Sequence, residues 1–347
     1  MEGSEHRTDA IRVDRAMEGI DTFLGAPYLP PDAPRLQAAG ARAAFMGIPY
    51  EGGTLTQMYR AGSSRGPRSA RQASTYLSPY NGELDVDIVA HYGLHDCGDV
   101  AVTPIDGALS RRNMETAAGA ILDAGAVPVF VGGDHSIPVP LARALSSRVT
   151  GQMGVLVLDT HLDAANEIDG DRFTNCSLHP RFIEFENVEA KNIAVVGIHG
   201  NAMQRDELDW ARDNGINIFF QNDVWELGIE VVMREALDRV WDGVEAAYVS
   251  FDTDVVDAAY LPGTCSSEPG GLTSRELLKA ARLIGARGLR QFDVSELSPP
   301  WDNNEISARL VVYFIINMLA ANAWHEQSGA SAGVSCIDSA TRVGARA

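Results

Sequence analysis

The sequence is poor in cysteine, poor in basic residues and free of long apolar runs. Four cysteines, Cys97, Cys176, Cys265 and Cys336, stand far apart in 347 residues. None forms a CxxC pair, which argues against a zinc knuckle or a dithiol redox site, and the density is too low for a disulfide framework. Only 28 Lys and Arg face 47 Asp and Glu, a formal charge of −19. A surface of that sign repels phosphate backbones and anionic lipid, so nucleic acid and membrane surfaces are not expected partners. It suits cationic substrates and metal ions. No run of about 18 consecutive apolar residues occurs, so no transmembrane helix is expected. Residues 1–21 are charged and lack the apolar core of a signal peptide. The chain therefore reads as a cytoplasmic protein. It also lacks Pro/Gly/Ser-rich linkers, which predicts one domain over 1–347 with poorly ordered tails at 1–20 and about 328–347.

What is present is a globular composition, 45% hydrophobic and 22% charged, enough for a sizeable core. Short runs rich in Val, Ile and Phe predict strands at 43–48, 127–131, 154–158, 193–198, 216–220, 247–251 and 289–294. Helical periodicity predicts helices at 67–76, 114–124, 139–146, 202–214, 224–240, 274–284 and 305–324. Thr273 and Ser274 before Glu276 mark a helix start. Strand–helix alternation implies an α/β fold, a parallel sheet with helices on both faces. The long Gly/Pro-rich loop at 258–271 is a candidate functional loop.

The chemistry sits where the apolar strands end. PVFVGG runs into Asp134-His135-Ser136, GVLVL into Asp159-Thr160-His161-Leu162-Asp163, AAYVSF into Asp252-Thr253-Asp254, and LRQFDV into Ser295-Glu296. Ligands of open parallel sheets bind outside the carboxyl ends of the strands. In extended or turning backbone, residues i, i+2 and i+4 point one way, so Asp159, His161 and Asp163 can converge, as can Asp252 and Asp254. Crowded carboxylates cannot all stay ionised without a countercharge. The set His135, Asp159, His161, Asp163, Asp252 and Asp254 is too large for one tetrahedral zinc. It suits two divalent ions such as Mn²⁺, with bridging carboxylates.

VGGDHS, DTHLD and SFDTDVVD resemble the three signature motifs of the ureohydrolase family, which contains arginase, agmatinase and related guanidino-compound hydrolases. GIPYEGG with RAGSSRGPRSARQAS, HDCGDV, LPGTCSSEPGGL and FDVSELSPPWD resemble further segments of its agmatinase branch, in order, from Phe45 to Ala320. The resemblance implies a three-layer α/β/α arginase-type fold with a central, mostly parallel sheet. It implies a binuclear manganese centre, with nickel in some members. His135, Asp159, Asp163 and Asp252 would hold one ion, and His161, Asp159, Asp252 and Asp254 the other. It makes Glu296 the carboxylate that pairs with a substrate guanidinium. A metal-bridging hydroxide would attack the guanidinium carbon, Asp254 would accept its proton, and urea and an amine would leave. The partner implied is a small guanidino compound, and the assembly a homotrimer or a hexamer of trimers.

Several positions depart from the family pattern. Thr160 separates the ligands of DTHLD, Ala258 replaces a usual proline and Cys265 a usual glycine. Asn175 stands where the family commonly has a histidine, and asparagine does no acid–base work near neutral pH. His179 is the nearby residue expected to compensate at the substrate. These departures point to a divergent guanidino-compound hydrolase. The alternatives are a formimino-type C–N hydrolase on the same fold and a non-catalytic metal-binding regulatory subunit. Cys176 and Cys265 read as small loop residues near the pocket rather than nucleophiles. His199 is expected at the pocket rim, and His91 and His95 in solvent. Specificity is expected to lie in 50–65, 166–179 and 264–271.

Overall fold

A computed structural model of the chain describes residues 19–54 and 60–328. The expected disorder of the two tails falls almost wholly outside these residues. Ten strands form among them: β1 (Ala43–Ile48), β2 (Tyr80–Asn81), β3 (Val86–Asp87), β4 (His95–Asp99), β5 (Val127–Gly132), β6 (Met153–Leu158), β7 (Ile193–Ile198), β8 (Asn217–Phe220), β9 (Ala246–Asp252) and β10 (Gln291–Ser295). Eight of them build one sheet in the order β4-β1-β5-β10-β9-β6-β7-β8. Every pairing in it is parallel. β2 and β3 form a separate antiparallel pair.

Strand residues alternate between two apolar layers. Phe45, Val129, Leu156, Val249 and Phe292 enter one core, packed by the helices Ile229–Val240, Ser274–Gly285 and Ile306–Ser328. Met46, Phe130, Val155, Val195 and Tyr248 enter the other, packed by Gly107–Asp123 and Pro138–Ser146. Because both faces are covered, the strands are apolar throughout instead of alternating with polar residues. The result is a three-layer α/β/α arrangement. The helix Ile306–Ser328 is long and apolar enough to cross a membrane by length and composition, yet 83% of its apolar window is buried inside the protein. It is a core helix.

The four strands that carry the polar motifs, β5, β10, β9 and β6, are neighbours at the centre of the sheet. Their sequence order is interrupted: the chain steps from β5 to β6 and returns to fill the gap with β9 and β10 only after β7 and β8. That gap is the switch point of the sheet, where ligand sites form.

Three expectations change. The segment HDCGD is itself an edge strand, β4, although it lacks the apolar run used to find the others. The single helix expected over 224–240 is two, Gln221–Leu227 and Ile229–Val240, split at Gly228, whose φ of 84° no helix accommodates. His91 and His95 do not simply face solvent. His91 pairs with Glu326 at 3.1 Å, and His95 Nδ1 lies 2.8 Å from the Gly93 carbonyl.

Candidate metal centre

Each motif leaves its strand in a backbone shape that turns side chains inward. The Gly132-Gly133 pair lets β5 end under the loop after β1: any side chain at Gly133 would collide with the Tyr50 carbonyl. Asp134 then staples that loop. Its Oδ2 accepts from the N–H groups of Gly53 (2.6 Å) and Thr54 (3.0 Å), and its Oδ1 accepts from Ser136 N–H. Asp134 is thereby saturated, and His135 beside it is the residue that reaches the centre. Asp163 and Glu296 adopt left-handed backbone, with φ of 45° and 63°. Non-glycine residues hold that conformation at a cost, and it persists where the surroundings dictate it.

The six candidate ligands come together. Asp159, Asp252 and Asp254 each anchor Oδ1 on a backbone N–H, of His161 (2.6 Å), Asp254 (3.0 Å) and Thr160 (3.3 Å) respectively. Each turns Oδ2 toward an imidazole. Around His135 Nδ1 lie Asp163 Oδ2 at 2.8 Å, Asp252 Oδ2 at 3.1 Å and Asp159 Oδ2 at 3.2 Å. Around His161 Nδ1 lie Asp254 Oδ2 at 3.1 Å and Asp159 Oδ1 at 3.6 Å. Two overlapping donor groups result, His135–Asp159–Asp252 and Asp159–His161–Asp254, each with its ligand atoms within 4.8 Å of one another. Asp159 belongs to both.

These donors fit cations better than protons. One ring N–H on His135 serves only one of three carboxylates, and Asp163 takes it. Asp159 Oδ2 is left buried without a hydrogen bond among the described residues. A divalent ion satisfies the imidazole lone pair and several carboxylates at once. Burial pushes Asp163 up to about 7, helped by the charge of Asp159. Burial and the neighbouring Asp254 carry Asp252 well above the ordinary carboxylate range. Burial opposes a charged His135 or His161, but the carboxylates around them outweigh it and raise both well above the ordinary imidazole value. Asp159 moves the other way: burial would raise it, but both histidines together bring it below the carboxylate range.

The far nitrogens of the two imidazoles are held by serines. Ser250 Oγ lies 3.0 Å from His135 Nε2, and Ser266 Oγ lies 3.3 Å from His161 Nε2. Ser250 in turn donates to the buried carboxylate of Asp293 at 3.2 Å, which also accepts from Tyr248 (2.5 Å) and Ser295 (2.6 Å). This chain leaves Nδ1 of His135 facing the carboxylates. Ser250→Ala should therefore weaken metal binding about 10- to 100-fold, the range for removing a partner behind a metal-binding histidine. Titration calorimetry of metal-free protein with Mn²⁺ measures it, and unchanged affinity would refute the role. The sequence reading missed Ser250 and Asp293. Their signal was there: polar residues inside otherwise apolar strands.

The other expected site residues divide. Glu296 and Cys265 line a cavity beside these donors; Glu296 Oε1 accepts from His135 N–H at 2.8 Å, the Cys265 thiol lies against the carboxylate, and Oε2 is buried with no N–H or O–H donor among the described residues. Burial, then Asp134, pushes Glu296 up to about 8. Asn175 lines the same cavity. His179 does not: it is 0% exposed, packs near Phe182, and burial pushes it down to about 4. Its expected place at the substrate is corrected to one behind the ligands, because its helix Leu178–Phe182 is buried along its whole length. His199 is also absent from the cavity wall. Thr160 turns away from the centre and meets its Nδ1 at 2.8 Å. Cys176 and Cys265 do line the cavity. Burial, then the charge of Glu296, raises the Cys265 thiol well above its ordinary value, so it is no nucleophile.

The Arginase family pattern matches residues 41–320. Guanidinopropionase of Pseudomonas aeruginosa is 34% identical over 325 residues, covering 91% of this chain and 96% of its own. Guanidinobutyrase of the same organism is 29% identical, covering 87% and 92%. The proclavaminate amidino hydrolase of Streptomyces clavuligerus superposes with a TM-score of 0.80 at 29% identity, covering 89% of this chain and 98% of that one. The match spans the whole sheet and all four motifs, and the chain belongs to the arginase family.

Proposed function

We propose that the protein hydrolyses a guanidino compound: R–NH–C(NH₂)₂⁺ and water give urea and R–NH₃⁺. The observation that carries this is Glu296 Oε2, a buried carboxylate oxygen with no N–H or O–H donor among the described residues, on the wall of a cavity beside two groups of metal donors. A planar guanidinium fills such a vacancy with charge-assisted hydrogen bonds. His135, Asp159, Asp163 and Asp252 would hold one divalent ion, and His161, Asp159, Asp252 and Asp254 the other. The mixed imidazole and carboxylate set favours Mn²⁺, with Ni²⁺ as the competitor. When bound, the ions supply the Lewis acidity that makes water nucleophilic near neutral pH.

The chain's own groups do the rest. Glu296 holds the guanidinium, its Oε1 fixed by the His135 backbone. Asp254 carries the proton from the attacking water to the departing nitrogen, its Oδ1 tethered to Thr160 N–H. Asn175 offers an amide to the substrate but no proton transfer. A trimer-based assembly belongs to the same proposal; the exposed Trp225, Leu227 and Val231 on adjacent helices support self-association.

The test is urea release by Mn²⁺-loaded and Ni²⁺-loaded protein on guanidine, guanidino acids, arginine and agmatine. Urea from at least one, with kcat/KM lowered about 10²- to 10³-fold by Glu296→Gln, is expected. Formamide from a formimino substrate instead of urea, or two bound metals with no turnover, would overturn the proposal.

A further inference from the structure

One wall of the cavity is a short antiparallel pairing. Thr264 bridges Leu297, and Ser298 N–H donates to the Gly263 carbonyl at 2.7 Å. With Gly263 facing Ser298 and Thr264 facing Leu297, Cys265 falls opposite Glu296. Successive side chains leave such a pairing on opposite faces. Leu297 enters the apolar core and Thr264 meets Thr253, whereas Cys265 and Glu296 both line the cavity. Directly opposed residues have Cβ atoms about 4.5–5.5 Å apart, so the register alone brings thiol and carboxylate together. The Cys265 thiol does lie against the Glu296 carboxylate.

Neither partner is free to retreat. Gly263 N–H donates to Ser307 Oγ at 2.8 Å, Thr264 Oγ1 accepts from Thr253 Oγ1 at 3.0 Å, and Ser266 Oγ lies 3.3 Å from His161 Nε2. Three consecutive residues thus touch three parts of the centre: the turn between Asp252 and Asp254, the Glu296 carboxylate, and an imidazole. Glu296 is fixed by its left-handed backbone and by the bond from His135 N–H to Oε1. Cys265 is 5% exposed and Glu296 1%. A sulfur atom is therefore held beside a carboxylate whose Oε2 still has no N–H or O–H donor among the described residues.

We propose, on the reading that Glu296 receives a substrate guanidinium, that Cys265 is a specificity residue that limits the size of the substrate's head. A guanidinium that pairs with Glu296 brings its edge past the Cys265 sulfur. An NH₂ group fits there, with its hydrogens on the carboxylate. An N-methyl group on the same edge meets the sulfur instead. The pinned backbone at 263–266 does not shift to relieve the overlap, and closely packed walls transmit such strain instead of absorbing it. Cys265 thus excludes guanidines that carry an alkyl group on the nitrogens facing Glu296, whatever the chemistry of the tail on the third nitrogen.

The experiment sets 4-guanidinobutanoate and 4-guanidinobutan-1-amine each against its analogue methylated on a terminal nitrogen, on Mn²⁺-loaded protein. Release of the tail amine, common to both members of a pair, is followed. The methyl group should lower kcat/KM about 10- to 200-fold in the parent. Cys265→Gly should shrink that ratio at least about tenfold, and Cys265→Ser, which keeps a heavy atom at the same place, should preserve most of it. A ratio cancels general losses of folding or metal, which a merely structural cysteine would cause. A parent that handles both heads equally, or a Cys265→Gly variant with an unchanged ratio, overturns the gate. Calorimetry with guanidinium and with N,N′,N″-trimethylguanidinium, which carries a methyl on every nitrogen, reads the gate without turnover. The parent should favour guanidinium, and Cys265→Gly should narrow the gap. That binding pattern without urea from any compound upholds the gate and overturns the hydrolase reading, whereas a gap equal in parent and variant overturns the gate.

Discussion

Asp252→Asn and Asp159→Asn should each lower urea release by at least about 10³-fold, the several kcal/mol that metal Lewis acidity contributes to such a reaction. Asp159 faces both imidazoles, and Asp252 joins His135 through Oδ2 while its Oδ1 positions the Asp254 backbone. Losing either disturbs both donor groups. Metal content by mass spectrometry should fall from two ions per chain, and kcat should fall with it. The same Asp252→Asn change should raise the melting temperature of metal-free protein. Burial and Asp254 already force the Asp252 carboxyl to keep its proton in the folded state, and asparagine imitates that neutral form without the penalty. A variant that keeps two metals and parental turnover would refute the bridging assignment.

Metal-free protein should lose thermal stability as pH rises, most steeply between about 6.5 and 8. Asp163 and Glu296 are pushed up to about 7 and about 8 from ordinary values of 3.8 and 4.5. Groups raised in the folded state contribute stability that is complete below their unfolded values and lost as pH climbs through the folded ones. Asp252, His135 and His161, all raised well above their ordinary values, act in the same sense. His179 acts oppositely. Burial lowers it from 6.5 to about 4, so its contribution is present above 6.5 and lost as pH falls toward 4. It offsets the carboxylates on the acid side and is silent above 6.5, which is why the decline steepens there. Mn²⁺ binds the deprotonated ligands and should flatten the profile. Melting curves from about pH 5 to 8.5, with chelator and with Mn²⁺, measure both limbs. A chelated protein whose melting temperature rises from pH 6.5 to 8 would contradict the assignment of these buried groups.

Much of the centre was legible in the sequence because its chemistry is local. A strand must end before polar residues begin, so apolar runs closing on DHS, DTHLD, DTD and SE announce donors at strand tips. Spacing within each motif then gave the inward-facing residues. What spacing does not carry is the lateral order of strands. That β9 and β10 fill the gap between β5 and β6 depends on crossover packing over more than a hundred residues. Edge strand β4 escaped because pairing with β1 alone asks for no continuous apolar run. Ser250 and Asp293 escaped because a hydroxyl or carboxyl inside a strand reads as an imperfection until its partner on the next strand is known. His179 misled for the converse reason. Nearness in sequence to Asn175 placed it at the substrate, whereas the turn into Leu178–Phe182 carries it into the interior.

The interleaved strand order has a consequence for how the chain reaches its working state. Residues 135–163 bring four of the six candidate ligands and residues 252–254 the other two, with β7, β8 and their helices made in between. Neither segment alone brings all six, so ions held by this set would not template early folding as they do in a zinc finger. They would bind once β9 lies between β10 and β6, after that long-range pairing has formed. Binding only the finished form, they act as a latch: they withdraw native molecules from the folding equilibrium and slow reopening of the central strands, without hastening the search that brought them together.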